Sequence, residues 1–299
     1  MTRTFVALLV WLTIAPPMAM AGTRLPDGGE ARLEGLTAYY SDPTDRYDHG
    51  ILGDEIEAAS LTIETGGRTI RVSLPEDQVF EDLTPRIVDA DGDGRPEILT
   101  VLSSLDHGAA IALYSPEGKQ LALSPFIGKP HRWLNPVGVA DFTGDGHPEI
   151  AVVETPHIAG VLVLYRWDGQ SGTLVERQRV PGFSTHVIGS RDQDLSIIVD
   201  WDGDGVADIL LPSQDRTALI GASFAGDMFR EVDRFSLRRE ISGNLILQGN
   251  FLIVPIKGRP NRTFTRPYNP AEAALKKSHH LPPPSPAQAE MPSGAPAAQ

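Results

Sequence analysis

An acidic, glycine-rich phrase of nine residues occurs three times, and it constrains the fold of this chain more than any other feature. We call the copies loop 1 (residues 89–97), loop 2 (residues 141–149) and loop 3 (residues 200–208); their starts lie 141 − 89 = 52 and 200 − 141 = 59 residues apart. Apolar, β-branched residues stand on both sides of each copy, which is typical of a loop that joins two strands. A unit of about 40–60 residues that recurs with several strands predicts a radial β-repeat.

Oxygen atoms in the three loops are spaced to hold a hard divalent cation. Side chains at positions 1, 3, 5 and 9, with the backbone carbonyl at position 7, can surround one calcium ion. Glycine at position 6 allows the sharp turn, because glycine adopts positive φ at little cost. Magnesium suits these loops less well, since it prefers octahedral geometry with several retained waters. The predicted ligands are Asp89, Asp91, Asp93, the carbonyl of Arg95 and Glu97 in loop 1; Asp141, Thr143, Asp145, the carbonyl of His147 and Glu149 in loop 2; and Asp200, Asp202, Asp204, the carbonyl of Val206 and Asp208 in loop 3.

Two alternatives bear on these loops. An EF-hand is excluded, because its bidentate acid at position 12 is replaced by Thr100, Val152 and Leu211, and because strands rather than helices flank the loops. A solvated Asp-Gly turn without an ion remains open. Up to three calcium ions are therefore expected, and loop 2 should be the weakest site because Thr143 removes one negative charge.

The ends of the chain differ in composition from its middle. Residues 1–21 resemble a secretory leader, with Arg3, an apolar run over residues 5–14 and a small-residue cleavage site at residues 19–21. An uncleaved anchor is the alternative, and no later run reaches the roughly 18 apolar residues of a membrane span. Residues 22–266 form the expected repeat domain, and residues 267–299, rich in Pro and Ala, are expected to be a disordered tail.

Charge and cysteine content restrict the cellular compartment and the classes of partner that are expected. The formal charge is −13, and the three loops supply 4 + 3 + 4 = 11 of the acidic residues. This balance argues against nucleic acid or an anionic membrane as a partner, since both require a basic face. No cysteine is present, which excludes disulfides and thiolate metal sites and suits a bacterial protein that is periplasmic or secreted. An unknown protein, a glycan or a small anionic ligand is the expected partner.

The strand pattern predicts an all-β fold of about five blade-like units over residues 30–265. After each acidic loop come a second strand, a third strand (residues 109–114, 161–165 and 218–222) and a fourth strand (residues 120–123, 173–177 and 230–235). Flanking units without the acidic phrase are expected at residues 58–74 and 243–256. The strand at residues 36–40 is predicted to complete the last, short unit and so close the ring.

The residues around loop 2 resemble a known family. Residues 138–153, Gly-Val-Ala-Asp-Phe-Thr-Gly-Asp-Gly-His-Pro-Glu-Ile-Ala-Val-Val, are similar to the blade motif of the FG-GAP/VCBS repeat superfamily, and the resemblance extends over about residues 84–225. It implies a β-propeller with calcium in the loops of single blades, as in the ligand-binding heads of integrins and in many exported bacterial proteins. That superfamily consists mostly of binding scaffolds with some lyases and other enzymes, so it implies a fold and a cation more firmly than a function.

A second candidate site follows from distances measured along the repeat. His107, His157 and Arg216 lie 18, 16 and 16 residues after the first Asp of their loops, each before a third strand, so a radial repeat would bring them to one face. Such a cluster suits an anionic or sugar-like ligand, or an acidic peptide. Solvated or backbone-satisfied side chains are the alternative, and the segment at residues 39–50 belongs either to ring closure or to this site. The remaining predicted ligand-binding residues are His131, Arg132, Trp133 and His186.

No catalytic motif is recognisable. The chain has no Ser-His-Asp order with a nucleophile elbow, no His-Glu-x-x-His, no P-loop and no dinucleotide fingerprint, and no catalytic residue is predicted. The sequence therefore predicts an exported calcium-binding β-propeller that acts as a binding or interaction module. The alternative is a calcium-stabilised propeller enzyme, a lyase or hydrolase, acting on a polysaccharide or another anionic substrate with His107 or His157 as general base. A third possibility is a purely structural protein tethered by its tail.

Overall fold

The computed structural model describes residues 22–267 and is all-β, as predicted. These residues form twenty strands and one short 3₁₀ turn at Gly50–Leu52, with no α-helix among them. Residues 1–21, where the leader is predicted, and residues 268–299 of the predicted tail lie outside the described residues. Within residues 22–267, no helix is long and apolar enough to cross a membrane.

Unit 1 is an antiparallel meander, and it includes the strand that the sequence predicts to close the ring. A tight hairpin at Glu34 and Gly35, with φ values of 46° and 84°, turns β1 into β2. Because β2 pairs with β1 on one side and β3 on the other, the prediction that residues 36–40 complete the last unit is wrong. The strands are β1 (Glu30–Leu33), β2 (Leu36–Thr44), β3 (Glu57–Thr65) and β4 (Arg68–Ser73), and β5 (Gln78–Phe80) then bridges β3 to the next unit.

Units 2, 3 and 4 are four-stranded antiparallel meanders with the acidic loop between the first and second strands. The third and fourth strands include the residues predicted for them from sequence. Unit 2 contains β6 (Arg86–Val88), β7 (Glu97–Ser104), β8 (Gly108–Tyr114) and β9 (Gln120–Leu123); unit 3 contains β10 (Leu134–Ala140), β11 (Glu149–Glu154), β12 (Val161–Asp168) and β13 (Thr173–Pro181); unit 4 contains β14 (Ile197–Val199), β15 (Asp208–Pro212), β16 (Ala218–Ser223) and β17 (Arg230–Ser236).

Unit 5 is shorter and has no acidic loop. It contains β18 (Ile246–Gln248), β19 (Phe251–Val254) and β20 (Arg262–Thr265) in one antiparallel sheet. The chain thus forms five successive units of the kind that make propeller blades. How many blades complete a ring stays a prediction.

Apolar side chains fill the space between consecutive units. In β7, Leu99 and Val101 pack toward unit 3, whereas Ile98 and Leu102 pack toward unit 1, as the two-residue period of a strand requires. Equivalent apolar clusters lie between units 3 and 4 and between units 4 and 5. Central strands are therefore buried on both faces, and each unit covers its neighbour. Among residues 22–267 no apolar cluster joins unit 5 to unit 1.

The acidic loops gather at one end of the strands, and the hairpins between second and third strands lie at the other end. Consecutive loops touch: a Cβ on Gly92 of loop 1 would lie 3.3 Å from Pro148 of loop 2, and one on Gly144 would lie 2.9 Å from Val206 of loop 3. The second strands of units 2 to 4 begin at position 9 of each loop and run for five to eight residues. At about 3.3 Å per residue, the two ends of the molecule are separated by roughly 15–25 Å.

Candidate metal loops and an imidazole-lined cavity

Each of the three acidic loops contains the same set of hydrogen bonds between its carboxylates and its backbone N–H groups. In loop 1 the two carboxylate oxygens of Asp89 accept hydrogen bonds from the backbone N–H groups of Gly92 (2.7 Å) and Gly94 (3.0 Å). Glu97 at position 9 accepts the N–H of Ala90 at 2.9 Å. Loops 2 and 3 repeat these bonds. Glycines at positions 4 and 6 both have positive φ in every copy, so the turn needs glycine at position 4 as well as at the predicted position 6.

Loops 1 and 3 bring three carboxylates together. The groups are Asp89, Asp91 and Glu97 in loop 1, and Asp200, Asp202 and Asp208 in loop 3; within each group one oxygen per residue lies within 4.8 Å of the others. These are oxygen donors of the kind that hold a hard cation.

The buried carboxylate of each cluster has a raised pKa, and that of loop 3 also has an unpartnered oxygen. Asp208 Oδ1 is buried without a hydrogen-bond partner among the described residues. Burial is the main cause that raises the Asp208 pKa, and the charge of Asp202 adds to it, although the Trp201 N–H and the Ser223 hydroxyl oppose the shift. Burial and the neighbouring aspartates raise the pKa of Glu97 to about 7. A bound cation would relieve both costs, so the donor sets of loops 1 and 3 fit calcium.

Loop 2 differs because a guanidinium lies among its oxygens. Arg166 on β12 contacts the fully buried Glu149 carboxylate through Nη2, and the same nitrogen lies 3.2 Å from Thr143 Oγ1. Its Nη1 lies 2.8 Å from Asp145 Oδ2. Three of the five predicted ligands in loop 2 are therefore held by one internal cation.

A cavity of about 270 Å³ opens at the opposite end of the units. One wall is an aromatic group in which the Trp133 and His157 rings lie parallel, with centroids 6.3 Å apart and an interplanar angle of 7°. His186 packs edge-on against both rings, and its Nδ1 lies 2.9 Å from His157 Nε2. Trp133 is fixed by the hydrogen bond that its indole N–H donates to the Glu81 carbonyl.

The other wall belongs to the segment between β2 and β3. His49 and His131 lie with ring centroids 5.2 Å apart, and Tyr47 packs against both. His131 Nε2 lies 3.1 Å from the Tyr47 carbonyl oxygen, while His49 Nδ1 lies 2.5 Å from a carboxylate oxygen of the buried Glu81. His131 has φ of 52°, a backbone strain held in place by the hydrogen bond from its N–H to the Tyr47 hydroxyl.

Burial controls the charge around this cavity. It lowers the pKa of His157 to about 4, with smaller contributions from His186 and Arg216, and it also lowers the pKa of His186. Desolvation raises the pKa of Glu57, which lies behind His49, to about 7, and it raises the pKa of Glu81 despite the hydrogen bond from His49. His157 and His186 are therefore neutral at pH 7.

The acidic phrase can now be placed in a family. Residues 89–152, from the start of loop 1 to the middle of β11, match the family model described as an FG-GAP-like repeat. This segment is an FG-GAP-like repeat. It includes all of loops 1 and 2 and ends before the hairpin that carries His157, so it contributes Trp133 to one wall of the cavity and His131 to the other.

The predicted ligand-binding residues fall into three groups according to their place relative to the cavity. His131, Arg132, Trp133 and His157 line the cavity, and His186 supports the wall from behind. His107 does not line it, because its ring lies 3.3 Å from Ser104 Oγ and packs on Phe126. Arg216 stays outside as well and pairs with Glu240 at 3.2 Å.

Sequence reasoning missed several residues of the cavity. His49 lies in the polar, aromatic stretch at residues 39–50, for which the sequence leaves ring closure and this site as alternatives without singling out a residue; its ring forms the second wall with His131. Ile51, Ile158 and Ile188 also line the cavity, and single isoleucines outside the strands carry no signal in a sequence.

A second concave region shows that the charge is unevenly distributed. A groove of about 530 Å³ beside unit 5 is lined by the exposed Arg238, Arg239, Arg259 and Arg262. The overall negative charge therefore does not extend over the whole surface.

Comparisons beyond the FG-GAP-like repeat are distant. No curated protein sequence matches the chain. Solved structures with some likeness include a Bacteroides caccae protein of unknown function (16% identity, 67% of this chain and 65% of that chain, TM-score 0.38), the Bacillus licheniformis rhamnogalacturonan lyase PL11 (16%, 67% and 49%, 0.37) and Saccharomyces cerevisiae Sqt1 (10%, 82% and 61%, 0.42). The chain thus spans less than two thirds of the length of each, and likenesses this low assign it no activity.

Proposed function

We propose that this chain is an exported, calcium-stabilised β-propeller that binds a small acidic, sugar-like ligand in the cavity formed by His49, His131, Trp133 and His157. The observation that carries this proposal is the cavity itself, which combines three imidazoles, an arginine and apolar side chains. Export is proposed from the leader-like residues 1–21 and the absence of cysteine.

Hydrogen bonds favour one tautomer for the neutral rings of His186, His157 and His131. His186 Nε2–H donates to the Ser190 carbonyl at 2.9 Å, so His186 Nδ1 accepts the proton of His157 Nε2. His157 Nδ1 is then left as an acceptor. In the same way His131 donates Nε2–H to the Tyr47 carbonyl, which leaves His131 Nδ1 as an acceptor. Ligand hydroxyl groups are donors that match these nitrogens.

The remaining lining suits the faces and the acid group of a sugar. Ile51, Ile158 and Ile188 provide apolar surface for the C–H face of a pyranose ring, and Arg132 provides a cation for a carboxylate. A cavity of about 270 Å³ has room for one or two rings. These features favour an acidic mono- or disaccharide, or the end of an acidic glycan.

Calcium has a structural role in this proposal. Loops 1 and 3 have the fitting donor sets, and they lie at the end of the units opposite the cavity. The ion would neutralise the clustered carboxylates and so stabilise the joins between neighbouring units. Removing calcium should lower the melting temperature without abolishing the shape of the cavity at temperatures below the melt.

Substitutions at the cavity rim test the ligand site without disturbing the core. Ile158 and Ile188 are 61% and 65% exposed, so Ile158→Asp and Ile188→Asp should leave the melting temperature unchanged and repel an acidic ligand. Met228→Asp is the matched control, because Met228 is 72% exposed and its neighbour Gly226 bonds to Thr143 at the other end. We expect a panel of uronate-containing oligosaccharides to raise the melting temperature of the wild type and the control but not of the rim variants. Equal shifts in all four proteins would refute the assignment.

An enzyme remains the second candidate, and the His49–Glu81 pair is the observation that favours it. Glu81 is buried, its pKa is raised, and it contacts an imidazole on the cavity wall, which is the arrangement of a proton-transfer group. The predicted convergence of His107 with His131 and His157 is not seen, which removes one general base from that alternative. Incubating the same oligosaccharides with the protein distinguishes the two candidates. New unsaturated or reducing ends that form with the wild type but not with Glu81→Gln would establish catalysis.

A further inference from the structure

We infer that loop 2 does not take calcium, because the Arg166 guanidinium occupies the place of the ion and acts as a built-in cation. Loops 1 and 3 are then the two calcium sites, and loop 2 is an acidic loop that needs no metal. This inference builds on the proposed calcium binding in loops 1 and 3, but it concerns different residues.

Arg166 satisfies the group in loop 2 that most needs a cation. Glu149 is fully buried, and a buried carboxylate without a partner is strongly destabilising. Arg166 contacts that carboxylate and reaches Asp145 and Thr143 with the same fork. A planar guanidinium bonded to several oxygens at once is a strong, oriented partner. Calcium would have to displace it from Glu149 and then bind a loop with one carboxylate fewer.

Among the three acidic loops, the register of the neighbouring strands shows why loop 2 alone has an arginine at this place. Ile98, Ile150 and Ile209 directly follow position 9 of their loops and pair with Tyr114, Tyr165 and Ala222. The next residue in each third strand therefore stands at an equivalent place beside the loop. These residues are Ser115 in unit 2, Arg166 in unit 3 and Ser223 in unit 4. A serine leaves the position of the ion open, whereas an arginine is long enough to fill it.

The charge of the three loops agrees with the substitution. Loops 1 and 3 each contain four acidic side chains, so a calcium ion leaves −4 + 2 = −2. Loop 2 contains three acidic side chains, and Arg166 leaves −3 + 1 = −2. Relative to loops 1 and 3, loop 2 therefore has one carboxylate fewer, because Thr143 replaces an aspartate, and one positive charge fewer, because Arg166 takes the place of a divalent ion.

Loop 3 offers an internal comparison. Arg230 lies 3.4 Å from both Asp202 and Asp204, but its side chain is 54% exposed. No contact with Asp200 or with the buried Asp208 is seen for it among the described residues. Arg230 therefore touches the outer oxygens and leaves the buried oxygen of loop 3 available, whereas Arg166 takes the buried one in loop 2.

Single substitutions at position 1 identify the loops that bind. Native mass spectrometry in a calcium-containing volatile buffer counts the ions on wild type, Asp89→Asn, Asp141→Asn and Asp200→Asn; asparagine keeps one oxygen for the backbone bonds. We expect two ions on the wild type, two on Asp141→Asn and one on each of the others. Three ions on the wild type, or the loss of one in Asp141→Asn, would overturn the inference. If Asp89→Asn and Asp200→Asn both leave the count unchanged, it is the proposed calcium binding in loops 1 and 3 that fails.

Opening loop 2 gives a test that does not depend on the other loops. The double variant Arg166→Ser, Thr143→Asp copies the residues of loop 1, and it should bind one ion more than the wild type does, whatever that number is. It should melt below the wild type in chelator and recover in millimolar calcium. Arg177→Ser is the control, because Arg177 pairs with the exposed Asp227, and it should change neither count nor melting. If the double variant is folded in calcium but gains no ion, the role of Arg166 is refuted. The same holds if the double variant stays unfolded in millimolar calcium.

Discussion

Replacing the buried Glu57 should change stability by an amount that depends on pH. Glu57 begins β3 and is 4% exposed. One of its oxygens accepts the backbone N–H of His49 at 3.1 Å, but Oε2 is buried without a partner among residues 22–267. Burial is the main reason that its pKa is raised from 4.5 to about 7. Glu57→Gln keeps the shape and the accepted bond and removes the charge.

The sign and size of the effect follow from the two pKa values. Between pH 4.5 and about 7 the folded protein binds more protons at Glu57 than the unfolded chain does, so stability falls as pH rises through this window. At about 1.4 kcal/mol per pKa unit, the ionised carboxylate costs about 3 kcal/mol at pH 9 and about 1 kcal/mol at pH 5. Glu57→Gln should thus gain about 2 kcal/mol more at pH 9 than at pH 5.

Urea denaturation in excess calcium at the two pH values measures this difference. Packing changes caused by the amide are the same at both pH values and cancel. Glu55→Gln, two residues away and exposed, is the control and should alter stability little at either pH. A gain for Glu57→Gln that differs by less than about 0.5 kcal/mol between pH 5 and pH 9 would show that the carboxylate is not desolvated as the structure indicates.

Three further outcomes are expected. Phe142→Ala should cost about 3–5 kcal/mol in urea denaturation, because Phe142 is fully buried between units 3 and 4; a cost under 1 kcal/mol would contradict that packing. Gly160→Ala should lower the melting temperature far more than Gly249→Ala. Both glycines have positive φ (57° and 59°), but a Cβ on Gly160 would lie 1.8 Å from the Phe183 carbonyl oxygen, whereas a Cβ on Gly249 would have open space. Equal losses of melting temperature in the two variants would argue against the close contact at Gly160. Below pH 6.5 His157 should destabilise the fold, because the unfolded chain takes up its proton first and the folded pKa is about 4; His157→Gln should reduce the loss in melting temperature between pH 6.5 and pH 4, and an unchanged loss would refute this.

The acidic loops and the strand order were predictable because their physics is local. Asp89 bonds to backbone groups three and five residues away, and the glycines need only their own φ. Alternating apolar residues give the strands, and the regular interval between loops gives the units. The sequence alone therefore determined the all-β class, the place of the FG-GAP-like repeat and the candidate donors of loops 1 and 3.

Tertiary structure decided the features that join distant residues. His131 meets Tyr47 across 84 positions and His49 meets Glu81 across 32, so no local pattern announces the cavity. The assignment of residues 36–40 to the last unit failed for a related reason: a strand's apolar pattern shows that it pairs but not with which partner. Arg166 is the clearest case. Seventeen residues after Glu149 it reads as an ordinary strand arginine, and only the register of β11 and β12 brings its guanidinium onto that buried carboxylate.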